Sequence, residues 1–191
     1  MPISSTDIVN RAAAQIAGQA QVSGTYPNFT GGGSVSLYAN ILYAGVVNMV
    51  ARQQDWECFR TTAALQLSSQ GALYPWNYEY LYPADCQKIR QITPATWDKN
   101  DPQPVQWSVE EHTYAGAATK VIETNIAYAM MVYTTSYPNV TEAQWDPLFA
   151  EAVVRTLASE LSMAIAGRPD FSKVILGQAG QIVAGGAGKD S

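Results

Sequence analysis

Apolar residues recur at helical spacing at both ends of the chain and at strand spacing in its middle. Ile8, Ala12 and Ile16, with Val9 and Ala13 beside them, make one stripe at the 3.6-residue period. Ser4 or Ser5 caps this first helix, and Asp7 sits in its first turn, where the helix dipole favours an anion. Gly18 is a C-terminal stop. Residues 19–33 read as a linker ending in Gly31-Gly32-Gly33, and no GxxxxGK[ST] follows to make a phosphate loop. Ser34 caps a second, longer helix that ends near Gln54-Asp55. Its apolar stripe, Leu37, Ile41, Leu42, Gly45, Met49 and Val50, predicts the face built for burial.

From Trp56 the period changes. Residues 61–67, 78–82, 86–92, 105–109, 120–123 and 127–133 have strand-like composition and partial alternation. Ile89 falls off the strict alternation, which marks a bulge or bend. Residues 94–104 form a polar turn with Asp98, Lys99, Asn100 and Asp101 at its tip. Short strands with hairpin-length loops predict one antiparallel sheet between helical halves. The helical period returns at Asp146-Pro147, a cap followed by proline at the first helical position. Thr141 and Gln144 offer a capping box for a short turn just before it. Leu148, Phe149, Ala152, Val153, Leu157, Leu161 and Ile165 form a wide apolar face that Gly167 and Pro169 terminate. A last helix runs from about Asp170 through Val174, Ile175, Ala179 and Ile182, and the Gly-rich tail holds no regular structure unaided. The expected fold is α+β: a helical bundle of two N-terminal and two C-terminal helices with an inserted antiparallel β-sheet domain. The expected divisions are 1–56, 57–138, 139–183 and the tail 184–191.

Composition changes this picture in one respect. Only 14% of the 191 residues are charged, against about a quarter in an ordinary soluble domain. A hydrophobic fraction of 47% excludes disorder, and a net charge of −5 excludes a non-specific nucleic-acid binder. No window reads as about 20 nearly uninterrupted apolar residues, so no membrane span is expected. The N-terminal residues lack the basic and apolar regions of a secretory signal. Cys58 and Cys86 make no CxxC and no disulfide framework, and read as free thiols of a reducing compartment. The charge deficit points to surfaces covered by partners.

Candidate chemistry is sparse. His112, the single histidine, lies in Glu110-Glu111-His112-Thr113-Tyr114 with no second histidine or nearby cysteine at metal-ligand spacing. It reads as an exposed loop or strand-end residue, and no metal, cofactor or catalytic set is expected. Glycoside cleavage needs two carboxylates flanking one bond. Glu110 and Glu111 point to opposite faces of a strand, which leaves Asp85, Glu79 and Glu123 as the partners for either. Trp76, Tyr78, Tyr80 and Tyr82 share a parity and would lie on one strand face. With Glu79 and Asp85 beside them, they suit packing or a protein interface better than base stacking.

Certain motifs resemble a known family. Residues 51–60, a helix end running through Arg52 into Trp56 and Phe59, resemble a junction of the head-to-tail adaptor (tail tubular, or connector) proteins of short-tailed bacteriophages. The stretch from Trp76 to Ile89 is similar to that family's aromatic strand followed by Pro, Asp and Cys. Here Tyr82 stands between Leu81 and Pro83, and Lys88 where arginine is common. Residues 146–161 resemble its helix after the sheet. The resemblance spans Ser5 to about Ile182. It implies a structural virion protein: a ring of about twelve copies joining the portal to the tail nozzle or fibres, with DNA passing through unread. It also implies that the C-terminal segment, with Val174, Ile175, Gln178, Ile182 and Lys189, grips the portal. Trp76, Tyr78, Tyr80 and Tyr82 then become candidates for subunit or tail contacts. Virion location after synthesis in the bacterial cytoplasm follows from the same resemblance. Peptidoglycan cleavage is the alternative activity.

Overall fold

The computed structural model describes residues 3–16, 21–96, 105–167 and 169–186. Gly18, the tip of the 94–104 turn and Lys189 lie outside them. The fold is mixed α+β, and the chain divides into two compact units, Met1–Phe59 with Ser136–Ser191, and Arg60–Thr135. The divisions fall at 59/60 and 135/136, about three residues inside the expected ones. Phe59 belongs with the helices, because its ring packs 4.8 Å from that of Phe149.

In the helical unit, α1 (Ser5–Ile16) opens with a reciprocal cap. The Asp7 N–H donates to Ser4 Oγ, and the Ser4 N–H donates to Asp7 Oδ2 at 3.0 Å. Residues 21–33 are an anchored turn rather than a linker. Short strands β1 (Val22–Ser23) and β2 (Thr30–Gly31) pair antiparallel. Asparagine amides close both backbones, Asn10 on Val22 and Asn40 on Phe29. The glycines are needed for this turn: all three have positive φ, and a Cβ on Gly32 would stand 2.9 Å from Val22 Cγ1.

Helix α2 (Ser34–Gln53) starts without the expected serine cap; Gly33 occupies the cap position. Of the expected stripe, Val50 is buried and Leu42 packs partly against the core, but Leu37, Ile41, Gly45 and Met49 face outward. Val35, Ala39, Tyr43, Val46, Val47, Val50 and Ala51 are buried, while Leu37 and Ile41 are 59% and 67% exposed. The helix is apolar on nearly every side, so periodicity alone could not choose its inner face. Polar anchors chose it. Tyr43 donates to Glu142, Asn48 accepts from the Tyr137 N–H, and Asn40 holds Phe29. By length and composition this one helix is apolar enough to cross a membrane, contrary to the window reading above.

Helix α3 (Pro147–Leu161) begins as predicted, with Asp146 accepting from the Leu148 N–H at 2.7 Å and Pro147 at the first position. The Thr141/Gln144 box closes a short turn before it. Its residues are buried on almost all sides because it packs against α1, α2 and α4 (Pro169–Gly186). Gly167, at φ 58°, ends the π-turn that follows α3. Helix α4 is fastened to α3 by the buried Ser159–Ser172 hydroxyl pair, 2.6 Å apart, and continues through Ala184 to Gly186, beyond the expected end.

The β-unit holds two three-stranded antiparallel sheets rather than one. In the first, β8 (Ala129–Thr135) lies between β3 (Arg60–Ala64) and β5 (Cys86–Pro94). In the second, β7 (Ala117–Thr124) lies between β4 (Tyr78–Leu81) and β6 (Trp107–Tyr114). The register of β5 slips between Ile89 and Gln91, the bulge that the alternation marked. Only β6 and β7, among the described residues, meet through a two-residue turn; Ala115 and Gly116 both have positive φ there, as a type I′ hairpin requires. Consecutive strands elsewhere cross between sheets, which is why hairpin logic merged them. Tyr80, Ile122, Ile92, Met131 and Tyr133 form the core that both sheets share.

Candidate functional site

Two places depart from ordinary packing. The first lies on the β4–β7–β6 sheet. Glu79 and Glu123 are directly opposite one another on β4 and β7. Alternation turns them away from the face carrying Tyr80 and Ile122, yet they are only 1% and 3% exposed. Two like charges on facing positions of an antiparallel pair repel, so their burial demands compensation.

His112 supplies part of it. Its Nδ1 lies 2.8 Å from Glu79 Oε2 and its Nε2 lies 4.0 Å from Glu123 Oε1. In register His112 pairs with Thr119, four residues from Glu123. Four residues of flat strand span about 13 Å, so the contact exists because the β6–β7 hairpin curls over this face. The Tyr114 hydroxyl also donates to Glu79 Oε2, and the Leu73 N–H donates to Glu123 Oε1 at 3.1 Å. Burial pushes the Glu79 carboxyl up, but the neighbouring Ser68 hydroxyl and the hydrogen bonds from Tyr114 and His112 outweigh it and hold the group below the ordinary glutamate range. Burial and the Glu79 carboxylate push the Tyr114 phenol up to about 12. Glu79 Oε1 is buried with no hydrogen-bond partner.

His112 is therefore not the exposed strand-end residue that spacing suggested: it sits within β6 with a side chain only 13% exposed. Glu79 and Glu123 partner each other and His112, not Glu110 or Glu111, which are exposed on β6. Asp85 is engaged elsewhere, accepting from Tyr133 and from Thr135 Oγ1 at 2.9 Å and so tying the start of β5 to β8. A trace of the cluster was present in the sequence. Glu79 interrupts an aromatic strand and Glu123 follows Val121-Ile122. Nothing local joined them across more than forty residues.

The second place is the outer side of α2. Leu37, Ile41 and Met49 recur on one line with Gly45 between them, and all three are exposed. Gly45 leaves a notch, with nothing within 4 Å of where its Cβ would stand. Helix α4 carries a smaller set, Val174 and Leu176.

No protein-family model and no curated protein matches the chain. The residues singled out by the family resemblance sit as follows. Val174 is exposed, whereas Ile175 is buried in the core of its own unit and so acts as a packing residue. Gln178 is exposed and accepts from Arg155, and Ile182 is half-buried against the same core. In the β-unit the expected aromatic face is split. Strand β4 covers only Tyr78 and Tyr80, whose rings stack 6.4 Å apart. Tyr80 is buried, donating to the Ile126 carbonyl, so it too serves packing. Tyr82 lies under the Lys120 ammonium at 3.8 Å, and Trp76 is half-buried in the loop before β4. Beside Tyr78 and Tyr80, an apolar cavity of about 240 Å³ is lined also by Leu65, Leu67, Ala127 and Tyr128.

Proposed function

We propose that this chain is a structural subunit of the head-to-tail adaptor ring of a short-tailed bacteriophage, joining portal to tail and continuing the DNA channel. It works by making contacts rather than by turning over a substrate, as a homo-oligomer of about twelve copies. Its other partners are the portal and the tail nozzle or fibres. Its place is the neck of the virion, after synthesis in the host cytoplasm. In this reading the four helices form a bundle into which the β-unit is inserted.

The outer stripe of α2 carries the proposal. Complete burial of a Leu, Ile or Met side chain is worth about 1.5–3 kcal/mol. Leu37, Ile41 and Met49 leave much of that to a neighbour, on a line where Gly45 admits a protruding side chain. Ring subunits need such surfaces, since each copy presents one face to the next and a different face to the previous one. The motifs at 51–60, 76–89 and 146–161 support this kind of ring by resemblance, and the charge fraction of 14% suits a chain with several covered faces. The peptidoglycan-cleaving alternative needs an accessible acid–base pair. The carboxylates that do meet, Glu79 and Glu123, are buried, and Glu110 and Glu111 alternate across β6.

Native mass measurement of the chain mixed with its portal tests this. The wild type is expected to form a stoichiometric ring complex. The double variant Leu37→Asp, Ile41→Asp is expected to stay off the ring while lowering fold stability by no more than about 1 kcal/mol, the sum of two exposed helix substitutions. Wild-type protein that neither forms rings nor binds the portal would overturn the proposal.

A further inference from the structure

The carboxylate–histidine cluster of the β-unit is buried, and its chemistry is unusual for packing. We propose that Glu79, His112 and Glu123 form a binding site for one divalent transition cation of the zinc or manganese class. The site is independent of the adaptor reading.

Four observations converge. Each of the three residues offers a ligand atom, one imidazole nitrogen and two carboxylate oxygens, and these lie within 4.8 Å of one another. Nitrogen with oxygen donors suits borderline first-row cations, whereas calcium and magnesium prefer all-oxygen sites. The separation of 4.0 Å between His112 Nε2 and Glu123 Oε1 is too long for a hydrogen bond. An ion bound by both would draw them together to about 3.4 Å at a tetrahedral angle, a closure of about half an ångström that two side-chain ends can make.

The imidazole is already oriented for the task. Both ring nitrogens face a carboxylate, Nδ1 at 2.8 Å from Glu79 Oε2 and Nε2 at 4.0 Å from Glu123 Oε1, so a neutral imidazole can offer its lone pair to an ion beside either one. The Leu73 N–H and the Tyr114 hydroxyl fix the two carboxylates in turn. The independent sign is Glu79 Oε1, a fully buried carboxylate oxygen with no hydrogen-bond partner. Such an atom normally finds one, and a cation bound beside it would satisfy it. An ion also offsets two facing buried negative charges, which a single imidazole cannot do fully. The partly exposed edge of His112 gives the ion its entry. Once bound, the ion would pin β4, β6 and β7 to one another.

The test uses the full chain stripped with chelator and titrated calorimetrically with zinc and, separately, manganese chloride. One equivalent per chain is expected for at least one of these ions, together with a rise in melting temperature that chelator reverses. Magnesium and calcium are expected to do neither. His112→Gln, checked for a wild-type far-UV spectrum, is expected to lose affinity at least tenfold, and Glu123→Gln likewise. Cobalt substitution guards against variants that do not fold. Wild-type protein should give visible d–d bands without the near-ultraviolet thiolate band that a cysteine ligand would add. The proposal is overturned if the wild type takes up neither zinc nor manganese, if uptake is undiminished in folded His112→Gln, or if cobalt reports thiolate.

Discussion

Glu142 shows how much one side chain can organise. Its Oε1 accepts from both the Tyr43 and Tyr137 hydroxyls at 2.9 Å, at the centre of a chain of rings running from Phe29 to Trp145. Burial, and then the nearby carboxylate, raise both phenols above the ordinary tyrosine range. The unfolded chain therefore releases these protons from about pH 10 while the folded chain keeps them. Their contribution to stability is complete below that pH and declines as pH rises beyond it. Denaturant melts between pH 9 and 11.5 should show stability falling with pH, with a shallower fall in Tyr43→Phe. An equal slope in the variant would refute the assignment. Nothing in the local sequence marks Glu142 as the acceptor for Tyr43, ninety-nine residues away, or Asn48 as the acceptor for the Tyr137 N–H. Ser4 with Asp7, and Asp146 with Pro147, were legible because their partners lie within three residues.

At the scale of the element, α2 and α3 make a contrast. Both carry strong apolar patterns, and the terminal residues of α3 were readable because capping is local chemistry. The inner face of α2 was not, because an apolar helix has more than one candidate stripe and only its neighbours select among them. Leu157→Ala on α3 should cost about 2–5 kcal/mol in chemical denaturation, since it empties a fully enclosed site. Leu37→Ala on α2 should cost no more than about 0.5 kcal/mol. Similar costs at the two positions would mean that α2 faces the other way. The strands follow the same rule. The Ile89 bulge and the Ala115-Gly116 turn are local features. The division into two sheets depends on which distant strands pair with β7 and which with β8.

For the whole molecule, helix α4 continues through Ala184 to Gly186, the end that the proposed reading would bring to a portal. Deleting residues 184–191 is expected to weaken portal attachment in a pull-down more than it lowers the melting temperature; equal attachment by the truncated chain would count against a docking role. Sequence alone determined the α+β class, the order of the four helices and of the strands between α2 and α3, the caps at Ser4, Thr141 and Asp146, and the shortage of charge. Each of these is a property of residues close together or of composition as a whole. Tertiary structure decided which side of α2 faces water and that Tyr80 and Ile175 are buried. It also brought His112 to two buried glutamates. Those outcomes rest on contacts between segments far apart in the chain, where hydrophobic burial and the pairing of buried polar groups choose among alternatives that local pattern leaves equal.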